Sequence, residues 1–299
     1  MTLDTSTLEA WRHPVAMSDA GARAALFNGL PGDVGGLAKV VQGVMMHQHI
    51  ASAYGLALTP QQHAEAHARA VADILEGIVG HDPRPLTAQR PVEARQVGVC
   101  RHFTLLHVAM LRSRGIAARA RCGFAAYFVK DMFIDHWVTE YFDEAARRWV
   151  LVDAQLDARQ RELFKVTFDP LDVPREQFLV AGDAWRRCRD GKAEPKAFAI
   201  LDMSGLWLIA GNVIRDVAAL NNREMLPWDI WGGMSRTDDE IDLGFIDRLA
   251  EVSRAPDADS QALRSAYDDL RVAVPATVFN AVLGRPETVS SLSPPPDSP

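Results

Sequence analysis

Cysteine is scarce in this 299-residue chain: Cys100, Cys122 and Cys188 are the only three, and they lie far apart. That is not a secreted disulfide framework, and it fits a reducing compartment. Long apolar runs are missing too, none approaching the roughly 18 residues of a membrane span. The opening MTLDTSTLEAW has neither the basic region nor the apolar stretch of a secretory signal. The expectation is a cytoplasmic chain with no membrane partner. Basic charge is not in excess, since 32 Lys+Arg face 39 Asp+Glu and the net charge is -7. Nucleic acid is therefore not an expected partner, because phosphate binding needs clustered cations. Neither an internal repeat nor a Cys-x-x-Cys knuckle is present.

What is there is an ordinary globular composition, 48% hydrophobic and 24% charged, long enough to bury a sizeable core. Residues 1–30 read as a weakly structured lead-in. Asp33 then caps a helix running to about residue 54, and a second helix follows Pro60 as far as Gly80. Residues 81–98 read as a connecting loop. From Cys100 to Arg114 a helix is apolar on most sides, which predicts a central position. Three strands follow, over 117–128, HWVTEYF and RWVLVDA. Helices are predicted again over 174–191, 205–221, 238–254 and 259–272, and the tail 286–299, with SSLSPPPDSP, has too little apolar content to pack.

Chemistry concentrates around Cys100. At a helix start, free backbone N–H groups and the positive end of the dipole favour a thiolate. Gly98 just before it leaves room for a substrate. A thiolate needs a base, and the base needs an orienting partner. If HWVTEYF and RWVLVDA pair antiparallel across the loop 143–146, Phe142 meets Arg147 and His136 lies opposite Asp153. Cross-strand partners are about 5 Å apart at Cβ, close enough for the carboxylate to fix the imidazole tautomer.

The segments GVCRHFTLLHVAMLRSRGI, DHWVTEYF and RWVLVDAQLD resemble the transglutaminase-like superfamily of papain-like cysteine enzymes. The flanks VQGVMMHQH and DPLDVPREQFLVAGDAW resemble bacterial transglutaminase-like proteins. The resemblance implies an α+β fold in which the cysteine helix packs on an antiparallel sheet, with extra helices at both ends and a single domain over 31–285. It also implies Cys100, His136 and Asp153 as a triad forming a thioester with an amide- or ester-bearing substrate, without a cofactor. Crosslinking enzymes, glycanases, peptidases and amide-forming enzymes all share that mechanism, so no acyl donor or acceptor follows. The alternative is an inactive scaffold that binds rather than reacts. The oxyanion donor is open among Gln42, Gln48 and Gln96, beside the backbone N–H of Cys100 itself, with Gln42 favoured for its place in the VQG segment.

Other residues compete for attention. His63 and His67 have a zinc-like i, i+4 spacing, but Glu65 is about 200° round the helix from the first histidine and a solvated face is the better reading. His47 and His49 do not share a helical face. A zinc set of Cys100, His102, Cys122 and His136 has suitable ligand types and poor spacing, so no metal is expected. Arg101 and Trp137 are candidates to touch substrate. Arg95, Arg119 and Arg121 could hold a substrate carboxylate or pair with Asp135, Glu140 or Asp157. Trp228 and Trp231 suit packing of the helical part onto the core.

Overall fold

The computed structural model describes residues 8–289. The chain does not wait until residue 31 to fold: residues 8–30 make helical turns, and Leu8, Trp11, Met17, Phe27 and Leu30 join the main core. The weakly structured lead-in is therefore corrected over residues 8–30, because these five side chains gain more by burial, about 1.5–3 kcal/mol each when complete, than by hydration.

Asp33 caps α1 (Val34–Val44), its carboxylate accepting the Gly36 N–H at 2.8 Å. The helix stops ten residues earlier than the sequence predicts, because Met45–His47 forms β1 and pairs in parallel with β2 (Gln96–Gly98). That same pairing turns the end of the expected 81–98 loop into a strand. The helix from Pro60 splits into α2 (Pro60–Glu65) and α3 (Val71–His81). At the break, Glu65 accepts the Val97 N–H at 2.8 Å and pins β2 to the end of α2.

Next comes α4 (Cys100–Ser113), whose residues Cys100 to Arg112 are all buried, as its nearly all-round apolar character predicts. Its floor is a sheet of β3 (Ala118–Ala125), β4 (Phe133–Asp143), β5 (Arg148–Val152), β6 (Phe178–Val180), β7 (Phe198–Ile200) and β8 (Met203–Ser204). β4 is its centre. One edge of β4 pairs with β3 over residues 134–141; the other is divided between β7 at Phe133–Ile134 and β5 at Thr139–Asp143. The β4–β7 pair is parallel, so the sheet is mixed rather than wholly antiparallel. Gly123 of β3 lies between His136 and Val180, and a Cβ there would collide with the Leu179 carbonyl oxygen; only glycine lets β6 approach this closely.

The hairpin register departs from expectation by two residues. Phe142 pairs with Trp149, not Arg147. Asp143 stays in the ladder because its carboxylate caps the turn, accepting the N–H groups of Ala145 (2.9 Å) and Ala146 (3.0 Å), and Arg147 turns the chain with φ 51°. A shift of two preserves side-chain parity. Asp153, one residue past the last paired position, Val152, thus remains on the face of His136 while sitting diagonally from it.

The helical remainder comprises α5 (Ala158–Leu163), α6 (Ala181–Arg189), α7 (Leu206–Ala219), α8 (Leu243–Arg254) and α9 (Ser260–Asp268). α6 begins later than predicted because Phe178–Val180 is taken into the sheet. A small sheet of β9 (Asp229–Ile230), β10 (Thr277–Asn280) and β11 (Arg285–Thr288) closes the chain. Residues 286–288 of the expected tail are thus paired, and 290–299 lie outside the described residues. The result is a mixed α+β fold in which helices flank a central sheet and one helix carries Cys100. Among the described residues no helix is long and apolar enough to cross a membrane.

Candidate active site

Cys100 is the first residue of α4, preceded by Val99 in an extended conformation, and no acidic residue occupies the first turn. Its side chain therefore meets the free N–H end of the helix, where negative charge is favoured. The residue is buried, with 7% of its surface exposed.

His136 and Asp153 come together as the parity argument requires. His136 Nε2 donates to Asp153 Oδ2 at 2.8 Å, which leaves Nδ1 free of that bond, and the Cys100 side chain is close enough to act on the imidazole electrostatically. Asp153 is itself fixed: its Oδ1 accepts the Gln155 N–H at 3.0 Å, and its own N–H donates to the Pro170 carbonyl at 2.8 Å. Tyr127 supplies a third constraint, its hydroxyl donating to Asp153 Oδ2 at 2.6 Å. Phe128 (4.9 Å), Tyr127 (6.0 Å) and Phe178 (6.4 Å) surround the imidazole edge-on. Burial alone would lower the His136 pKa, but the Asp153 carboxylate and Cys100 outweigh it and push it up to about 10. Such an imidazole is held protonated, ready to pair with a thiolate and to give its proton away.

The other candidates are placed elsewhere. Gln42 Nε2 donates, at 3.4 Å, to the Leu156 carbonyl and so has its amide engaged next to the Asp153 loop. Arg101 is fully buried and its guanidinium donates to the Glu224 and Ala68 carbonyls, tying both segments to the helix start. Trp137, 1% exposed, pairs with Cys122 and belongs to the core. Arg119 and Arg121 converge on Glu140 and reach on to Asp257 and Asp216, and Arg95 bonds the Arg90 carbonyl. His102 has both nitrogens engaged, by the Val99 N–H and the Ala68 carbonyl. His67 lies beyond the end of α2 against Asn280 and Trp228, so its helical spacing from His63 does not exist. Trp231 packs as expected, its indole N–H on the Val272 carbonyl.

Two residues escaped the sequence. Tyr127 gave no signal, since its bond to Asp153 spans two strands. His47 was read as helical; on β1 it pairs with Gly98, two residues before Cys100, and its ring centre lies 6.2 Å from that of Phe103 in α4.

No curated protein matches the sequence. Among solved structures, a candidate cysteine protease from Cytophaga hutchinsonii aligns with 16% identity over 51% of this chain and 43% of its own, with a TM-score of 0.31, a likeness too slight to carry an argument. Residues 48–154 match the model of the Transglutaminase-like superfamily. The segment that carries Cys100, His136 and Asp153 is thus similar to the transglutaminase-like superfamily, over about a third of the chain.

Proposed function

We propose that the chain is a cysteine-dependent acyl-transfer enzyme, acting on an amide or ester through a thioester on Cys100. The observation that carries this reading is the hydrogen bond of His136 to Asp153, with Cys100 at the helix start acting on the same imidazole. The helix N-terminus favours the thiolate and the Asp153 carboxylate favours the imidazolium, so each half of the pair stabilises the other. The sulfur attacks the carbonyl carbon, the C=O electron pair moves to oxygen, and collapse of the adduct expels the amine or alcohol, which takes the proton from His136. Water or an amine then attacks the thioester and gives its proton to His136, and collapse of the second adduct breaks the C–S bond, releasing the acid or amide and restoring the thiolate beside the imidazolium. The working compartment is the cytoplasm in this proposal, and the substrate a small molecule, a peptide or a carrier-bound acyl group.

The test is acylation by p-nitrophenyl acetate, followed by peptide mapping. The expected result is p-nitrophenol release with an acetyl group on Cys100, lost in Cys100→Ala and His136→Ala. Absence of any acetyl group on Cys100 would favour the binding scaffold instead.

A further inference from the structure

An acyl-transfer site must stabilise the oxyanion of its tetrahedral adduct, a contribution worth about 10²–10³ in rate per side-chain donor. With the Gln42 amide engaged by Leu156 and the Gln48 amide against the His49 ring, the residues around Cys100 offer a further donor beside the backbone N–H of Cys100 itself.

His47 is that residue. The parallel pairing of β1 with β2 sets it opposite Gly98, and the next residue, Gln48, donates its N–H to the Gly98 carbonyl at 2.9 Å. The imidazole is thereby tied to the strand that leads into Cys100. Its ring stands beside Phe103 and within electrostatic range of His136 and His102. Its Nδ1 accepts the His49 N–H at 3.3 Å, which assigns the ring proton to Nε2. Among the described residues nothing accepts from that Nε2–H. The residue is 9% exposed and this nitrogen is not among the fully buried unpaired atoms, so the N–H keeps solvent contact, on the strand paired with the one that leads into the nucleophile. We propose that His47 is a second functional imidazole of this site, a neutral donor whose Nε2–H stabilises the oxyanion formed when Cys100 attacks a substrate carbonyl.

Its protonation state suits the task. Burial first, then the neighbouring imidazoles of His49, His136 and His102, push its pKa well below the usual histidine range. The two imidazoles are divided by environment: His136 carries charge because the Asp153 carboxylate faces it, and burial together with neighbouring imidazoles keeps His47 neutral. A neutral N–H can strengthen its bond as negative charge develops on oxygen without first competing with the thiolate for a proton. The inference rests on the acyl-transfer reading of Cys100.

The experiment compares wild type, His47→Ala, His47→Phe and His47→Gln in two assays. One is the single-turnover rate of Cys100 acetylation by p-nitrophenyl acetate; the other is alkylation of Cys100 by iodoacetamide, a displacement at saturated carbon that forms no oxyanion. His47→Ala and His47→Phe are expected to lose at least about tenfold in acetylation and to keep the wild-type alkylation rate and pH profile. His47→Gln, which retains an N–H donor, is expected to recover part of the loss. Acetylation at the wild-type rate in His47→Ala or His47→Phe would overturn the inference, as would a parallel fall in both assays, which would make His47 a support of the thiolate. Should one variant fail to fold, the other two carry the comparison. If wild-type Cys100 shows no enhanced alkylation, the acyl-transfer reading falls and the inference falls with it; enhanced alkylation with unchanged acetylation removes only the inference.

Discussion

Tyr127 and His136 donate to the same atom, Asp153 Oδ2, at 2.6 and 2.8 Å. The carboxylate is thus divided between a phenol and an imidazole, and the two compete for its negative charge. Burial, Asp153 and Cys100 fix where the imidazole titrates, with the phenol as moderator.

Tyr127→Phe and Asp153→Asn are consequently expected to act in opposite directions on His136. Loss of the phenol leaves more charge for the imidazolium and raises its pKa, at a stability cost of about 1–3 kcal/mol for the lost charged hydrogen bond. Asp153→Asn removes the charge and lowers the pKa. Titration of His136 by NMR in both variants checks this, and shifts of the same sign would refute it.

The raised His136 pKa also predicts a pH dependence of stability. The group moves up from 6.5 to about 10 on folding, so its stabilisation is complete below pH ~6.5 and is lost as pH rises through ~10. Urea midpoints of wild type and His136→Gln should differ most near pH 6 and converge towards pH 10. A difference that stays constant over that range would contradict the assignment.

Glu140 holds the sheet together electrostatically. Its Oε2 accepts from Arg119 (2.7 Å) and Arg121 (2.9 Å), and its Oε1 from Arg175 (2.6 Å). Burial opposes its charge, yet the three arginines keep its pKa well below the usual glutamate range. Its contribution is therefore present above pH ~4.5 and fades as pH falls. Glu140→Gln leaves two buried guanidinium groups under-compensated and is expected to cost about 3–5 kcal/mol, read as a lower urea midpoint at pH 7.

The parts of the site legible in the sequence are those set by local pattern. Cys100 at the start of an apolar run, and alternation in HWVTEYF and RWVLVDA, were enough to bring His136 and Asp153 to one face. The hairpin register slipped by two because the turn is decided by the Asp143 carboxylate, a side-chain cap that periodicity does not see, and the site survived because the slip was even. What the sequence hid depends on distant pairing. β1 joins β2 across some fifty residues and cuts short a helix whose local propensity was sound, and this is what sets His47 opposite Gly98. Arg101 misled for a related reason: adjacency to Cys100 suggested a substrate contact, whereas one residue along a helix rotates the side chain by about 100°, here onto the Glu224 carbonyl.

The central claim, that Cys100 and His136 form an activated pair, is tested most directly by the pH dependence of iodoacetamide alkylation, with the labelled residue identified by mass spectrometry. The account predicts that Cys100 labels rapidly well below the free-thiol pKa of about 8.5, and that His136→Ala abolishes this advantage. Burial pushes Cys122 and Cys188 up instead, so they serve as internal references. Labelling of Cys100 no faster than these two, and indifferent to His136→Ala, would contradict the claim.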